Sequence, residues 1–219
     1  MKTALIIGST GLIGSDLVKL LLANSDYSKV IAFSKRGIDL KHPKLEVQII
    51  DFDKPDTFTD SIKGDDFFCA IGTTIKQAGS KKAFRKVDYE YPKQFASIAA
   101  TNGIKQFLLI SSLGADSTSN NFYLQTKGDI EDFLKNTPFK SVAIVRPSLL
   151  LGNRKEFRLG EKIGGFLMKI FSFLFIGKLK NYKPIQSVTV AKALEQLAKN
   201  ESAGFNIYNS AEIEKIVNS

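Results

Sequence analysis

Residues 122–127 read FYLQTK, with a tyrosine and a lysine four positions apart. On a helix, positions i and i+4 lie on one face, so Tyr123 and Lys127 would present their side chains together. A phenol ionises near pH 10 in water, and an ammonium held a few ångströms away favours the phenolate, which makes a proton donor and acceptor usable at working pH. Just upstream, LLISSLG closes an apolar run, bringing Ser111 and Ser112 to the same neighbourhood. A serine hydroxyl there could hold a substrate oxygen while Tyr123 moves the proton. Alone, such a pair is common by chance, and an exposed pair on a wet helix surface is the commoner outcome. The rest of the chain has to decide.

The first apolar run, TALIIG, enters GSTGLIG, with Gly8, Gly11 and Gly14, and an amphipathic pattern follows at once. Glycines at this spacing allow a tight turn, contact between backbone and a pyrophosphate, and close helix packing on a sheet. The amides of Ser9, Thr10, Gly11, Leu12 and Ile13 would then point at phosphates that also meet the positive end of a helix dipole. The second run ends at Ser34 and continues with Lys35 and Arg36. An acid here would accept the ribose hydroxyls of NAD; two cations favour the 2′-phosphate of NADP(H), with a solvated basic turn as the competing reading. The third run ends in IIDFD, where Asp51 could bond an adenine amino group and Phe52 could pack on the ring. The fourth ends in AIGTT, bringing Ile71, Gly72 and Thr73 beside the pyrophosphate and ribose. Cys69 reads as a small buried apolar residue rather than a nucleophile.

These residues need a scaffold that gathers strand ends. Short runs rich in Ile, Val, Leu and Phe at 3–8, 29–34, 45–50, 66–72, 106–111 and 140–145 are strand candidates, near-continuously apolar as in strands buried on both faces. Helical patterns at 12–24, 55–62, 82–101 and 122–136 separate them. Such alternation predicts parallel strands, right-handed crossovers and an α/β doubly wound parallel sheet, a Rossmann fold. Farther on, 187–199 reads as a helix, 204–209 as a short strand and 210–217 as a helix that Ser210 could cap. The expected organisation is a single NAD(P)-binding domain over 1–219, with 148–180 as a reduced substrate-side cap.

GSTGLIG, the serine pair and YLQTK resemble the short-chain dehydrogenase/reductase superfamily in its extended or atypical branch. FCAIGTT, AGSKKAFRKVDYEYP, LLISSLGADSTSNNFYLQTKGDIE and VRPSLLLGNRKEFRLGE together resemble the Tat-interacting protein subgroup of NADP-binding oxidoreductases, over residues 3–200. The resemblance implies Tyr123 as general acid/base, Lys127 as the residue that tunes it and holds the nicotinamide ribose, and Ser112 as the group that orients substrate, with Ser111 adjacent. It also implies NADP contacts from Ile71, Gly72, Lys35 or Arg36, and Arg158, and an approach of Pro147 and Ser148 to the nicotinamide. Where many extended members have an asparagine on the fourth helix, this chain has Asp88. Arg154 and Arg158 are the anion-binding groups of the following loop, with exposed surface arginines as the other view.

Composition narrows the chemistry. One cysteine excludes an internal disulfide, and one histidine, His42, leaves no material for a histidine triad or histidine-rich metal site. The net charge of +9 is dispersed as single lysines, which argues against nucleic acid. The start of the chain has neither a signal-peptide pattern nor a transmembrane span, so a cytoplasmic protein is expected. The phenylalanine-rich stretch 163–178 is too short and too interrupted for about 30 Å of hydrocarbon. It is expected to cap a substrate cleft or form a homodimer contact, with plain core as the alternative. The leading function is NADP(H)-dependent hydride transfer to or from a small carbonyl or alcohol. The alternatives are a nucleotide-sugar epimerase or dehydratase, and a redox-sensing regulator that binds a protein partner.

Overall fold

The computed structural model describes residues 1–151 and 182–219. β1 (Lys2–Ile7), β2 (Tyr27–Ser34), β3 (Leu45–Ile49), β4 (Asp66–Cys69), β5 (Gln106–Ile110), β6 (Ser141–Arg146) and β9 (Gly204–Asn209) form one parallel sheet in the order β3-β2-β1-β4-β5-β6-β9. The chain leaves β3 at one edge and returns as β4 on the other side of β1. A doubly wound sheet opens a crevice at such a reversal, beyond the carboxyl ends of the strands. A short parallel pair, β7 (Leu150–Leu151) with β8 (Ile185–Gln186), stands apart from it.

The apolar runs earn their continuity by packing on both faces. Ala4 and Ile6 of β1 join one core with Leu17 and Leu21 of α1 (Leu12–Ala23), Leu194 of α6 (Ser187–Asn200) and Ile213 of α7 (Ser210–Asn218). Leu5 and Ile7, pointing the other way, join a second core with Phe95 of α4 (Tyr91–Thr101) and Ile130 of α5 (Phe122–Lys135). Phe95 is the hub there, within 5.0 to 6.2 Å of the rings of Phe52, Phe58, Phe67 and Phe33.

The sheet matches the sequence expectation, including its last strand, but four local expectations need correction. The pattern at 55–62 is two one-turn helices, Pro55–Thr57 and Thr59–Ser61, because Phe58 leaves helical backbone (φ −135°) to bury its ring. The strand expected to reach Gly72 ends at Cys69, and the following loop turns into the crevice. The helix expected over 82–101 is interrupted: α2 (Ile75–Ala78) and α3 (Lys81–Arg85) lead into a π-helical turn, Lys86–Glu90, before α4. Pro92 supplies the reason, since it has no N–H to give the carbonyl of Asp88 four residues back and its ring crowds that carbonyl. Finally, α7 is capped by Asn209, whose backbone N–H donates to Glu212 at 2.8 Å, while the Ser210 hydroxyl accepts from Ser148 N.

Candidate active site

The crevice begins where β1 ends. Gly8 has φ +82°, and a Cβ there would lie 2.4 Å from Ala70 C and Ile71 N, so the first turn requires glycine both conformationally and sterically. A Cβ on Gly14 would lie 2.1 Å from Gly8 O, which is how close α1 comes to the turn. Ser9 is buried, and its hydroxyl oxygen finds no partner among the described residues. An orphaned hydroxyl inside a backbone cradle that admits no side chain fits a ligand rich in acceptor oxygens, as a pyrophosphate is.

Two cavities flank this loop, separated by the segment after β4, so that Ile71 lines both. The outer one, about 410 Å³, is bounded by Gly8, Ser9, Thr10, Lys35, Arg36 and Phe52. Arg36 is exposed at its mouth. Lys35 is less free: its ammonium donates to Tyr91 Oη at 2.9 Å and lies over the rings of Tyr91 and Phe52, at 4.5 and 5.3 Å. Tyr91 in turn donates to Asp53, which pairs with Lys86 at 2.7 Å. Phe52 belongs to the aromatic core and is buried, with part of its side chain on the cavity wall. Asp51 is exposed, accepts from Asp53 N at 3.0 Å, and does not line the cavity.

The inner cavity has a volume of about 100 Å³. Its wall includes Gly11, Gly72, Thr73, Asp88, Tyr123 and Lys127. Asn121 caps α5 by accepting from Tyr123 N and Leu124 N, at 3.0 and 3.3 Å, which fixes the helix start and with it the face that Tyr123 and Lys127 share. Tyr123 is half-buried, its ring 5.5 Å from that of Phe84. Lys127 is buried, and its ammonium pairs with Asp88 Oδ1 at 2.8 Å; the two side chains are 7% and 1% exposed. Burial opposes the lysine's charge, but Asp88 and Tyr123 outweigh it and hold Lys127 above the ordinary lysine value. The other Asp88 oxygen accepts from Thr73 N at 2.9 Å. Cys69 is fully buried, and burial pushes its thiol up to about 12, the behaviour of a core residue.

The two serines part company. Ser111 lines the inner cavity, but its hydroxyl donates to the buried carboxylate of Glu131, which also accepts from Arg146 Nε at 3.0 and 3.1 Å. Ser112 is half-buried and does not line the inner cavity; its hydroxyl makes a 3.4 Å contact with Leu113 O. Pro147 is buried, its carbonyl accepting from Leu113 N at 3.1 Å. Arg154, Arg158 and the segment 163–178 lie outside the described residues, as does most of the cap expected over 148–180.

Sequence reasoning undervalued Asp88, noted only as standing where asparagine was expected. The signal that could have found it was Pro92, which breaks the helix register and turns an acid four residues earlier toward the crevice. It also missed Glu131, although Tyr123, Lys127 and Glu131 follow one another at helical spacing on a single face.

Among the described residues, no cluster of His, Cys, Asp and Glu could hold a metal ion, and no helix is long and apolar enough to cross a membrane. Comparison with known proteins agrees with the geometry. Residues 8–166 match the family described as NAD(P)H-binding. Protein HTATIP2 from Rattus norvegicus is 33% identical over 197 residues, covering 88% of this chain and 79% of its own length. Protein FMP52, mitochondrial, from Debaryomyces hansenii is 32% identical over 223 residues, 99% of each chain. Among solved structures, a short-chain dehydrogenase/reductase superfamily protein from Agrobacterium tumefaciens with bound NAD superposes with a TM-score of 0.71 at 13% identity, covering 99% of this chain and 81% of that one.

Proposed function

The chain belongs to the NAD(P)H-binding family and has the short-chain dehydrogenase/reductase fold, and from that premise we propose that it is an NADP(H)-dependent oxidoreductase acting on a small carbonyl or alcohol. One observation carries the reading: a single cavity is walled by both the glycine loop and the Tyr123–Lys127 pair. A cofactor bound along that loop would bring its reactive end to the one phenol able to exchange a proton there.

When bound, the dinucleotide supplies or takes up a hydride. The residues of this chain do the rest. Amides of residues 9–13 bind the pyrophosphate and the Ser9 hydroxyl gains a partner. Arg36, with Lys35 held beside it by Tyr91, faces the 2′-phosphate, and Phe52 backs the adenine side. Ile71, Gly72 and Thr73 line the middle of the crevice. Tyr123 gives the proton to a reduced carbonyl oxygen or takes it from an alcohol. Lys127 has N–H groups beyond the one on Asp88 and holds the ribose with them. Ser112, whose hydroxyl is less committed than that of Ser111, orients the substrate, Pro147 backs the nicotinamide end, and Arg158 and the rest of 148–180 close over it.

The test is NADPH oxidation with a panel of aldehydes and ketones, with Tyr123→Phe as control. Turnover that falls by about 10²-fold or more in the variant supports the reading; turnover unaffected by it, or none with tight NADPH binding, overturns it. Replacing Lys35 and Arg36 with Ala should weaken NADPH far more than NADH, and equal losses would remove the NADP preference. The cytoplasm is the proposed compartment; the mitochondrial name of the Debaryomyces relative makes that organelle the alternative, to be separated by cell fractionation.

A further inference from the structure

The only charged residues on the wall of the inner cavity, among those described, are Asp88 and Lys127, and they are paired with each other. Asp88 is not a helix residue that happens to lie nearby. The π-helical turn Lys86–Glu90 brings it inward, where one carboxylate oxygen meets Lys127 and the other holds the backbone of the β4 exit at Thr73. Gly72 leaves the approach clear: a Cβ there would lie 3.4 Å from Asp88 Oδ1 and 3.8 Å from Lys127 Nζ. The remaining groups facing the lysine, Tyr123 on its own helix and Cys69 on β4, contribute no cation. The lysine therefore enters the site as half of a neutral pair.

A nicotinamide ring carries a positive charge when oxidised and none when reduced. An unpaired ammonium in a poorly solvated cavity would repel only the oxidised form, whereas a neutral pair treats the two forms more evenly. We propose that Asp88 is a positioning residue that, through Lys127, sets the relative affinity of this site for oxidised and reduced dinucleotide. The proposal rests on the cofactor assignment above but not on any substrate or turnover.

The experiment is a titration of NADPH by its fluorescence and of NADP+ by displacement, on the full chain, with thermal unfolding as a check of folding. Asp88→Asn keeps the size and an oxygen acceptor for Thr73 N–H but removes the negative charge. The ratio Kd(NADP+)/Kd(NADPH) is expected to rise by on the order of a hundredfold, the effect of unit charges about 6 Å apart at an effective dielectric near 20. Lys127→Gln, which leaves the carboxylate alone, is expected to lower the ratio, and serves if Asp88→Asn does not fold. The double variant should weaken both forms yet return their ratio toward that of the native chain. Equal losses for both forms in the single variants would reduce Asp88 to a packing role and overturn the inference while leaving the oxidoreductase reading intact. Failure of the native chain to bind either form would overturn the cofactor assignment itself, and the inference with it.

Discussion

At the amino-terminal ends of the strands and at their carboxyl-terminal ends, one sheet buries polar groups under opposite rules. Lys2, Tyr27, Asp66, Gln106 and Ser141 are the first residues of β1, β2, β4, β5 and β6. They form a row across the sheet in which each group is consumed by its neighbours. Tyr27 donates to Asp66 at 2.6 Å and Lys2 pairs with the same carboxylate at 3.3 Å. Gln106, its amide turned to satisfy both sides, donates to Asp66 at 2.8 Å and accepts from Ser141. Burial pushes the carboxyl of Asp66 and the phenol of Tyr27 upward. A cavity of about 330 Å³ adjoins this row, yet its tyrosine and lysine are already spent. At the other end, the Ser9 hydroxyl has no partner among the described residues and Tyr123 is half-buried on a cavity wall. Buried polar groups that satisfy one another hold a fold together; those left with open valences are where a ligand completes the structure.

The sharpest break of this contrast is at the point where the carboxyl end does close on itself. Lys127→Ala leaves Asp88 as a buried charge without its counter-ion, and removing one partner of a buried pair costs about 3–5 kcal/mol. Unfolding in urea should show a loss of that size together with loss of cofactor binding, so that stability and function fall together. A loss below about 1 kcal/mol would mean that water reaches the pair in spite of the 7% and 1% exposure of its side chains.

The sequence made the frame legible because its central strands are buried on both faces. Their apolar runs need no alternation to be recognised, and GSTGLIG marks where the first one turns. The same pattern could not show how β4 ends, because Ala70 and Ile71 continue the apolar run without a break and only the sharp approach to Gly8 decides where pairing stops. Tyr123 and Lys127 were legible as a pair through helical spacing. What spacing could not give was Lys127's counter-ion: Asp88 is 39 positions away, on a turn whose π geometry follows from a proline read as an ordinary helix residue. Nor could spacing separate Ser111 from Ser112, since which hydroxyl is consumed depends on Glu131 and Arg146 reaching the end of β5 from two other elements.

At the amino-terminal row the expected effect is smaller and of a different kind. Tyr27→Phe removes one of the donors to Asp66 and leaves Lys2 and Gln106 in place, so the carboxylate is under-satisfied rather than abandoned. Stability should fall by about 1–3 kcal/mol in urea, while the Kd for NADPH stays within about twofold of that of the native chain. A change in cofactor affinity without loss of stability would dissolve the distinction between the two ends.

The smallest effect belongs to the rim of the same row, where Glu201 reaches Lys2 and, at 3.8 Å, Lys140. Hydrogen bonding to Lys2 holds its carboxyl below the ordinary glutamate value of 4.5, more than burial raises it. A group whose folded-state value is depressed contributes stability that is present above its unfolded value and lost as pH falls through the folded one. The pair is one-third exposed on both sides, 29% and 35%, so solvent screening limits it to about 0.5 kcal/mol. Glu201→Gln should therefore lower stability slightly at neutral pH, and the gap between variant and native chain should close as the carboxyl protonates, below about pH 4. The gap should also shrink with added salt, unlike the loss in Tyr27→Phe, whose partners are sealed from water. Urea titrations of both variants at two pH values and two ionic strengths measure this directly; a salt-independent gap at Glu201 would mean that the sealed row extends one residue farther out than the burial of its side chains indicates.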